Sequence, residues 1–276
     1  MEIIHRSYYN PNAKYTFKLH QQLNQILKMQ DLFFVLLKNE LADRFVTIME
    51  DFIPTLSQFV EEKCDYEYQV DLPLLGQYPD VIQLYMGMFI QYAPLSDLQG
   101  IPADKEIEMQ VGDYIRASLF QKYYTYKTLT EILPREEAIT LLKKIIDKNI
   151  QSVRDPEKYY KGPIAAFVKD DRNYQMYQTF GGIDAVIAIT NETKIATKVL
   201  KCRWADVLGG LEDPEVGYLV TCYGDFEARK NFDPEFELTR TKTLMQGDPY
   251  CDFCDHDKRS GMSVVHPEEA FWENLQ

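Results

Sequence analysis

The spacing of apolar residues along the chain changes about halfway. In the first half, large apolar side chains recur every three or four positions, which is typical of helices that bury one face. Pro54 lies inside the first of these stretches and predicts that a new helix starts there. We therefore predict a helical region over residues 1–153. The helical stretches in it are residues 14–64, 81–93, 107–133 and 135–153.

Beyond residue 153 the pattern shortens to a period of two. Residues 183–190 and 194–201 are rich in β-branched side chains and predict a β-hairpin. Further on, Asp213 stands directly before Pro214, a pair that is typical of the first turn of a helix. We predict helices over residues 204–208 and 214–229.

A second hairpin is predicted near the C-terminus. Residues 236–245 alternate between two sets of side chains and contain several threonines, and residues 250–255 follow after a turn. Gly247 lies in this turn, because glycine tolerates the positive φ angles that turns require. Two hairpins with helices beside them predict an α+β domain over residues 154–276, built on a four-stranded antiparallel sheet with packed helices.

The composition of the chain indicates which binding partners and which cellular compartment we expect. The 276 residues carry a formal net charge of -13, and the basic residues are interspersed with acidic ones. We expect no nucleic-acid or membrane partner, because such surfaces repel an acidic protein. The apolar runs are too short to cross a bilayer. Five cysteines, an odd number, without a recognisable signal sequence indicate reduced thiols and a cytoplasmic protein.

Arg240 is the most informative single residue of the second half. It shares the apolar face of its predicted strand with Phe236 and Leu238. A buried guanidinium is costly unless an anion pairs with it. The hairpin brings Asp252 within reach, and Asp225 is a second candidate. A third candidate is the carboxylate of a substrate, which arginine binds through two parallel hydrogen bonds.

Three cysteines, Cys202, Cys222 and Cys251, are candidates for the same site. Cys202 precedes a short predicted helix, whose N-terminus would favour the thiolate. Cys222 lies three residues before Asp225 in the predicted helix, so these two side chains would share one face. The ordinary alternative for each cysteine is a small buried apolar residue.

A C-x-x-C-x-H run offers an alternative chemistry at the C-terminus. Cys251, Cys254 and His256, with His266 ten residues further on, have side chains of the kind that hold zinc. Residues three apart on a strand point to opposite sides, however, which favours plain strand cysteines. Nucleotide-binding glycine loops are absent from the sequence. We therefore predict no metal and no cofactor, with zinc as the alternative.

The last third of the chain contains several motifs in a characteristic order. They are Lys201-Cys202-Arg203-Trp204-Ala205-Asp206, Pro214-Glu215-Val216-Gly217-Tyr218, Cys222-Tyr223-Gly224-Asp225-Phe226, Asn231-Phe232-Asp233-Pro234, Arg240-Thr241-Lys242-Thr243-Leu244 and Cys251-Asp252-Phe253. In this order they resemble the C-terminal signature of the L-2-amino-thiazoline-4-carboxylic acid hydrolase family. The Gly-Asp-Pro-Tyr-Cys turn is also similar to the end of vinyl-reductase-type small-molecule-binding domains.

The first resemblance implies a cofactor-free hydrolase that adds water to the C=N carbon of a thiazoline ring and leaves N-carbamoyl-cysteine. Such a reaction needs a group that binds the substrate carboxylate, a base for water, and a donor for the ring. The candidate binding residues are Arg240, Thr241, Thr243 and Cys222. The candidate catalytic residues are Asp225 or Asp252 as base, and Cys202 or Cys251 as donor or as nucleophile.

The second resemblance implies a different class of protein. Vinyl-reductase-type domains bind small molecules without catalysis, so a small-molecule- or zinc-binding module is the alternative function. In that case the helical first half would carry dimerisation or partner contacts, and a homodimer is one hypothesis. A hydrolase that acts on a different cyclic amidine or amide is a third.

Overall fold

The computed structural model describes residues 1–102, 104–169 and 181–275. Contacts divide the chain into two compact units. The first, called here the helical unit, comprises Lys14–Asn149, and the second, called the sheet unit, comprises Met1–Ala13 with Ile150–Gln276. The helices in chain order are α1 (Leu19–Leu41), α2 (Phe45–Ser57), α3 (Pro79–Ile90), α4 (Val111–Ile132), α5 (Arg135–Ser152), α6 (Ile164–Lys169), α7 (Arg203–Leu208), α8 (Pro214–Thr221), α9 (Asp225–Phe232) and α10 (Glu269–Asn274). No helix in the described part of the chain is long and apolar enough to cross a membrane.

The helical unit departs from the predicted pattern in two places. Helix α2 continues through Pro54, so the prediction of a new helix there is wrong. Phe52 and Leu56, on either side, are fully buried, and their packing outweighs the one hydrogen bond that proline cannot donate. The second departure is a pair of antiparallel strands, β2 (Lys14–Lys18) and β3 (Glu106–Gln110), at the starts of two stretches that were predicted as helical.

The sheet unit contains a mixed fold, as predicted, but its sheet has five strands rather than four. The order is β1-β4-β5-β7-β6, and all neighbours are antiparallel. The extra strand, β1, lies at the edge beside β4, and the burial of its six side chains does not alternate, so it lacks the pattern that would predict it. The strands are β1 (Glu2–Ser7), β4 (Ile183–Asn191), β5 (Lys194–Cys202), β6 (Phe236–Thr239) and β7 (Cys251–Asp257).

The two faces of this sheet are covered by different parts of the chain. One, called here the helix face, includes Ile187, Ile195 and Phe236, which pack against Ile164 and Val168 of α6. The other is called the tail face, because Trp272 and Leu275 of the C-terminal segment, residues 262–275, cover it. On the tail face these two side chains pack against Val186, Ala188, Ala196, Tyr250 and Cys254. Every strand residue therefore belongs to one of two separate environments.

The predicted helix over residues 214–229 is two helices, α8 and α9, joined by a turn at residues 222–224. Asp213 caps α8 as predicted, since its side chain accepts a hydrogen bond from the Val216 N–H. Cys222 is the C-cap of α8 and Asp225 is the first residue of α9. The expectation that these two side chains share one continuous helix is therefore wrong.

The C-terminal hairpin is also shorter than its alternation predicts. Strand β6 ends at Thr239, because the Asp252 carboxylate accepts the backbone N–H groups of Thr241 and Lys242 in place of a strand ladder. Gly247 adopts φ +93°, the left-handed conformation that was predicted for this turn.

Candidate functional site

Arg240 follows β6 directly, and its side chain lies on the helix face with only 2% of its surface exposed. One terminal nitrogen, Nη1, donates to Asp225 Oδ2 at 2.7 Å. Of the three anions considered from the sequence, the partner in this structure is Asp225. This pairing offsets the cost of burying the guanidinium.

The other contacts of Arg240 fix it beside the turn between α8 and α9. Its Nη2 donates to the Cys222 carbonyl at 2.9 Å and to the Tyr218 hydroxyl at 3.1 Å. The rings of Phe226 and Phe253 lie 5.0 and 4.9 Å from the guanidinium carbon, within the range of cation–π attraction. Arg240 therefore holds the end of α8 and the start of α9 in one arrangement.

Asp225 is the more accessible member of this pair, with 31% of its side chain exposed. Burial raises the pKa of Asp225 above its ordinary value, although Arg229 and Arg240 act in the opposite direction. Arg229 itself pairs with Asp255 at 2.5 Å. The carboxylate is thus oriented by Arg240, partly open, and a stronger base than an ordinary aspartate.

The three candidate cysteines lie beside this pair on the helix face. Cys251 is buried in a cluster with Ala185 and Val199, and Cys202 packs against that cluster. Burial raises the pKa of Cys202 to about 12 and that of Cys222 to about 11, and it also raises the pKa of Cys251. The thiols are therefore neutral near pH 7.

The prediction that a helix N-terminus favours the Cys202 thiolate is wrong. Cys202 is the N-cap of α7, and hydrogen bonds from the backbone of Ala205 and Trp204 do lower its pKa, but desolvation by burial is the larger effect. As a result, Cys202 is suited to donate or accept a weak hydrogen bond rather than to attack as a thiolate.

Asp252 does not join this cluster, contrary to the expectation that the hairpin brings it close to Arg240 and Cys251. Successive strand residues face opposite sides, so Asp252 faces the tail face and Cys251 the helix face. The hydroxyls of Thr241 and Thr243 are engaged within the chain. Thr241 Oγ1 donates to Asp252 Oδ2 at 2.5 Å, and Thr243 Oγ1 accepts from the Met245 N–H at 3.2 Å.

The same alternation separates the residues of the zinc alternative. Cys251 packs with the helix-face cluster, whereas Cys254 packs on the tail face. His256 shares the tail face with Cys254, and its Nε2 lies 2.9 Å from Thr239 Oγ1. Across the described residues, no three or more His, Cys, Asp or Glu side chains are grouped so that they could hold a metal ion.

Sequence reasoning missed Tyr218, Phe226 and Phe253, which complete the surroundings of Arg240. Tyr218 lies four residues before Cys222, one helical turn away, and this spacing is the signal that could have identified it. The contact of Phe253 with Arg240 depends on the pairing of β6 with β7, so local spacing does not reveal it.

A cavity of about 680 Å³ lies elsewhere, in the helical unit, and its lining includes His20, Asp65, Tyr66 and Gln83. It shares no residue with the Arg240 cluster. The Arg240 cluster is the candidate site because of its chemistry, since it combines a buried guanidinium, a partly exposed carboxylate with a raised pKa and three thiols.

Comparison with known proteins gives one positive result. The family model described as L-2-amino-thiazoline-4-carboxylic acid hydrolase matches residues 113–254, just over half of the 276 residues. Corresponding searches of curated proteins and of solved structures found no match. The matched range contains Asp225, Arg240 and the three cysteines of the cluster. The chain therefore belongs to the L-2-amino-thiazoline-4-carboxylic acid hydrolase family.

Proposed function

We propose that this protein is a hydrolase that opens the ring of a small cyclic amidine carboxylate, with L-2-amino-thiazoline-4-carboxylate as the substrate and N-carbamoyl-cysteine as the product. The observation that carries the proposal is the pair of Asp225 and Arg240 on the helix face. A partly exposed carboxylate with a raised pKa is held there at 2.7 Å by a buried guanidinium, inside the range that matches the family.

In the proposed reaction, a water molecule adds to the ring carbon that is bonded to nitrogen and sulfur. Asp225 accepts a proton from the water as its oxygen bonds to this carbon. Asp225 passes this proton to the ring nitrogen, whose double bond to the carbon becomes a single bond. The carbon–sulfur bond then breaks, the added hydroxyl becomes the carbonyl of the product, and its proton passes through Asp225 to the sulfur, which leaves as the thiol of N-carbamoyl-cysteine. Water is the only co-reactant, so the proposal requires no cofactor.

The other members of the cluster have supporting roles in this proposal. Arg240 orients Asp225, because its Nη1 and Nη2 are already bonded to Asp225, Tyr218 and the Cys222 carbonyl. These bonds use three of its five N–H groups. The neutral thiols favour water over cysteine as the nucleophile, since a thiol with a pKa near 12 is very rarely a thiolate at pH 7.

A cytoplasmic location is part of the proposal. All five cysteines are free in the structure, which supports the expectation of a reducing compartment. A thiol product would also persist there rather than oxidise.

The test is to incubate the purified chain with L-2-amino-thiazoline-4-carboxylate and to measure both thiol release and N-carbamoyl-cysteine by mass spectrometry. We expect stoichiometric thiol and product. A protein that is stabilised against heat by the compound but releases no product would instead be a binding module, the alternative function that the vinyl-reductase-type resemblance implies.

A further inference from the structure

A continuous chain of hydrogen bonds runs across the tail face, away from the Arg240 cluster. His266 of the C-terminal segment lies between Asp252 and Thr239: its Nε2 is 3.0 Å from Asp252 Oδ2, and its Nδ1 is 3.0 Å from Thr239 Oγ1. His256 completes the chain, with Nε2 2.9 Å from the same Thr239 oxygen. A carboxylate, an imidazole and a hydroxyl are therefore connected in sequence.

The carboxylate end of this chain is rigid. Asp252 is 1% exposed, and four donors reach its two oxygens. Oδ1 accepts the backbone N–H groups of Thr241 at 2.8 Å and Lys242 at 2.7 Å, while Oδ2 accepts the Thr241 hydroxyl at 2.5 Å. The fourth is the imidazole of His266 on Oδ2. These four donors hold the Asp252 carboxylate in one orientation, in which both of its oxygens accept hydrogen bonds.

The position of the carboxylate determines which nitrogen of His266 carries the proton. Since Asp252 Oδ2 only accepts, Nε2 of His266 is the donor, and in the neutral ring Nδ1 is then an acceptor. Two acceptors lie near the Thr239 hydroxyl, the Cys254 carbonyl at 3.4 Å and His266 Nδ1 at 3.0 Å, and the shorter contact assigns the hydroxyl proton to Nδ1. The Thr239 oxygen in turn accepts from His256 Nε2, because its single hydroxyl proton is already donated to His266.

This is the arrangement of a nucleophile, a base and an orienting carboxylate. The arrangement lies near the surface, since Thr239 is half-buried and 16% of the His266 side chain is exposed. Spacing along the chain does not reveal this arrangement, because Thr239 and His266 are 27 residues apart.

We infer that Thr239, His266 and Asp252 form a second hydrolytic site, in which the Thr239 hydroxyl attacks small activated esters. In the first step Thr239 Oγ1 bonds to the ester carbonyl carbon and its proton passes to His266 Nδ1. The ester C–O bond then breaks, and the leaving alcohol takes that proton. In the second step water attacks the acyl-threonine, His266 Nδ1 takes the water proton, and Thr239 recovers it as the acid leaves.

The competing explanation is that the chain of hydrogen bonds only attaches the C-terminal segment to the sheet. His266 also stacks on Trp272, with ring centroids 5.4 Å apart, so its removal would loosen this segment whether or not it is catalytic. The test must therefore include a result that attachment alone cannot produce. Covalent modification of Thr239 in the unaltered protein is such a result.

The experiment treats the full chain with diisopropyl fluorophosphate and maps the modified residue by mass spectrometry, alongside turnover of p-nitrophenyl acetate. We expect one phosphoryl group on Thr239. Thr239→Val and His266→Gln should each lower ester turnover by about 10²–10⁴-fold. Thr190→Val is the matched control, because Thr190 is a sheet threonine whose hydroxyl donates to the Lys194 carbonyl; it should retain full turnover.

Asp252 acts through His266, so it is a positioning residue. In Asp252→Asn the imidazole loses the carboxylate that sets its tautomer, so ester turnover should fall, whereas Asp252→Glu keeps a carboxylate and should restore part of it. Two results would overturn the assignment: an unaltered protein in which Thr239 stays unmodified at saturating reagent, or a folded His266→Gln variant whose Thr239 is modified as fast as in the unaltered protein.

Discussion

Replacing Arg240 with methionine should destabilise the sheet unit, because the change leaves Asp225 without its guanidinium. Breaking a fully buried ion pair by removing one partner costs about 3–5 kcal/mol. Arg240 is 2% exposed, but Asp225 is 31% exposed, so water replaces part of the lost interaction, and the charge of Arg229 continues to act on Asp225. We therefore expect the free energy of unfolding to fall by about 2–3 kcal/mol.

The double variant Arg240→Met/Asp225→Leu separates this effect from lost packing. Removing both charges leaves no unpaired carboxylate, so the double variant should regain about 1–2 kcal/mol relative to Arg240→Met alone. Lost packing around Phe226 and Phe253 would persist in both variants. The difference between them therefore measures the unpaired Asp225.

The assay is urea unfolding followed by tryptophan fluorescence. Both tryptophans, Trp204 and Trp272, belong to the sheet unit, so the signal reports that unit even if the helical unit unfolds separately. A loss below about 0.5 kcal/mol in Arg240→Met, or a double variant no more stable than the single one, would show that the ion pair does not bear on stability as argued.

Three further predictions concern single residues. Cys202 should react with iodoacetamide at pH 8 about 10³-fold more slowly than a free thiol, because burial raises its pKa to about 12, and an equal rate in the folded protein would contradict that burial. Gly247→Val should lower stability by about 1–2 kcal/mol, since φ is +93° there, and an unchanged melting temperature would show that the turn adapts. The folded-state pKa of His256 is lowered to about 4, so the unfolded chain binds the proton first and stability should fall as the pH drops from about 6.5 to 4. His256→Asn should remove that part of the dependence in acid unfolding curves, and an unaltered dependence would assign it to other groups.

The ion pair is the part of the candidate site that sequence reasoning could anticipate. An arginine on an apolar strand face needs an anion, and Asp225 was one of three possible partners. Arg240 pairs with Asp225 rather than with Asp252 because of the residue at which β6 ends. Asp252 itself ends that strand by accepting the N–H groups of Thr241 and Lys242, an effect that alternation along the chain does not show.

Contacts between segments that are distant in the chain explain most of the structural features that the sequence does not predict. Strand β1 pairs with β4 across more than 170 residues and has no apolar period of its own. His266 reaches Thr239 only because the C-terminal segment covers the tail face. The protonation state of the Cys202 thiol could not be predicted from the sequence either. Burial depends on tertiary packing, and its effect on the pKa of Cys202 outweighs the effect of the local helix terminus.

The most direct test of the proposed hydrolase is the value of kcat/KM for L-2-amino-thiazoline-4-carboxylate in the unaltered protein and in Asp225→Asn. The amide keeps the size of the side chain but cannot accept the proton from water, so we expect a decrease of about 10²–10⁴-fold. Asp184→Asn, a partly exposed aspartate on β4, is the matched control and should retain the original value. An Asp225→Asn variant within threefold of the unaltered protein would contradict the role of Asp225 as the base.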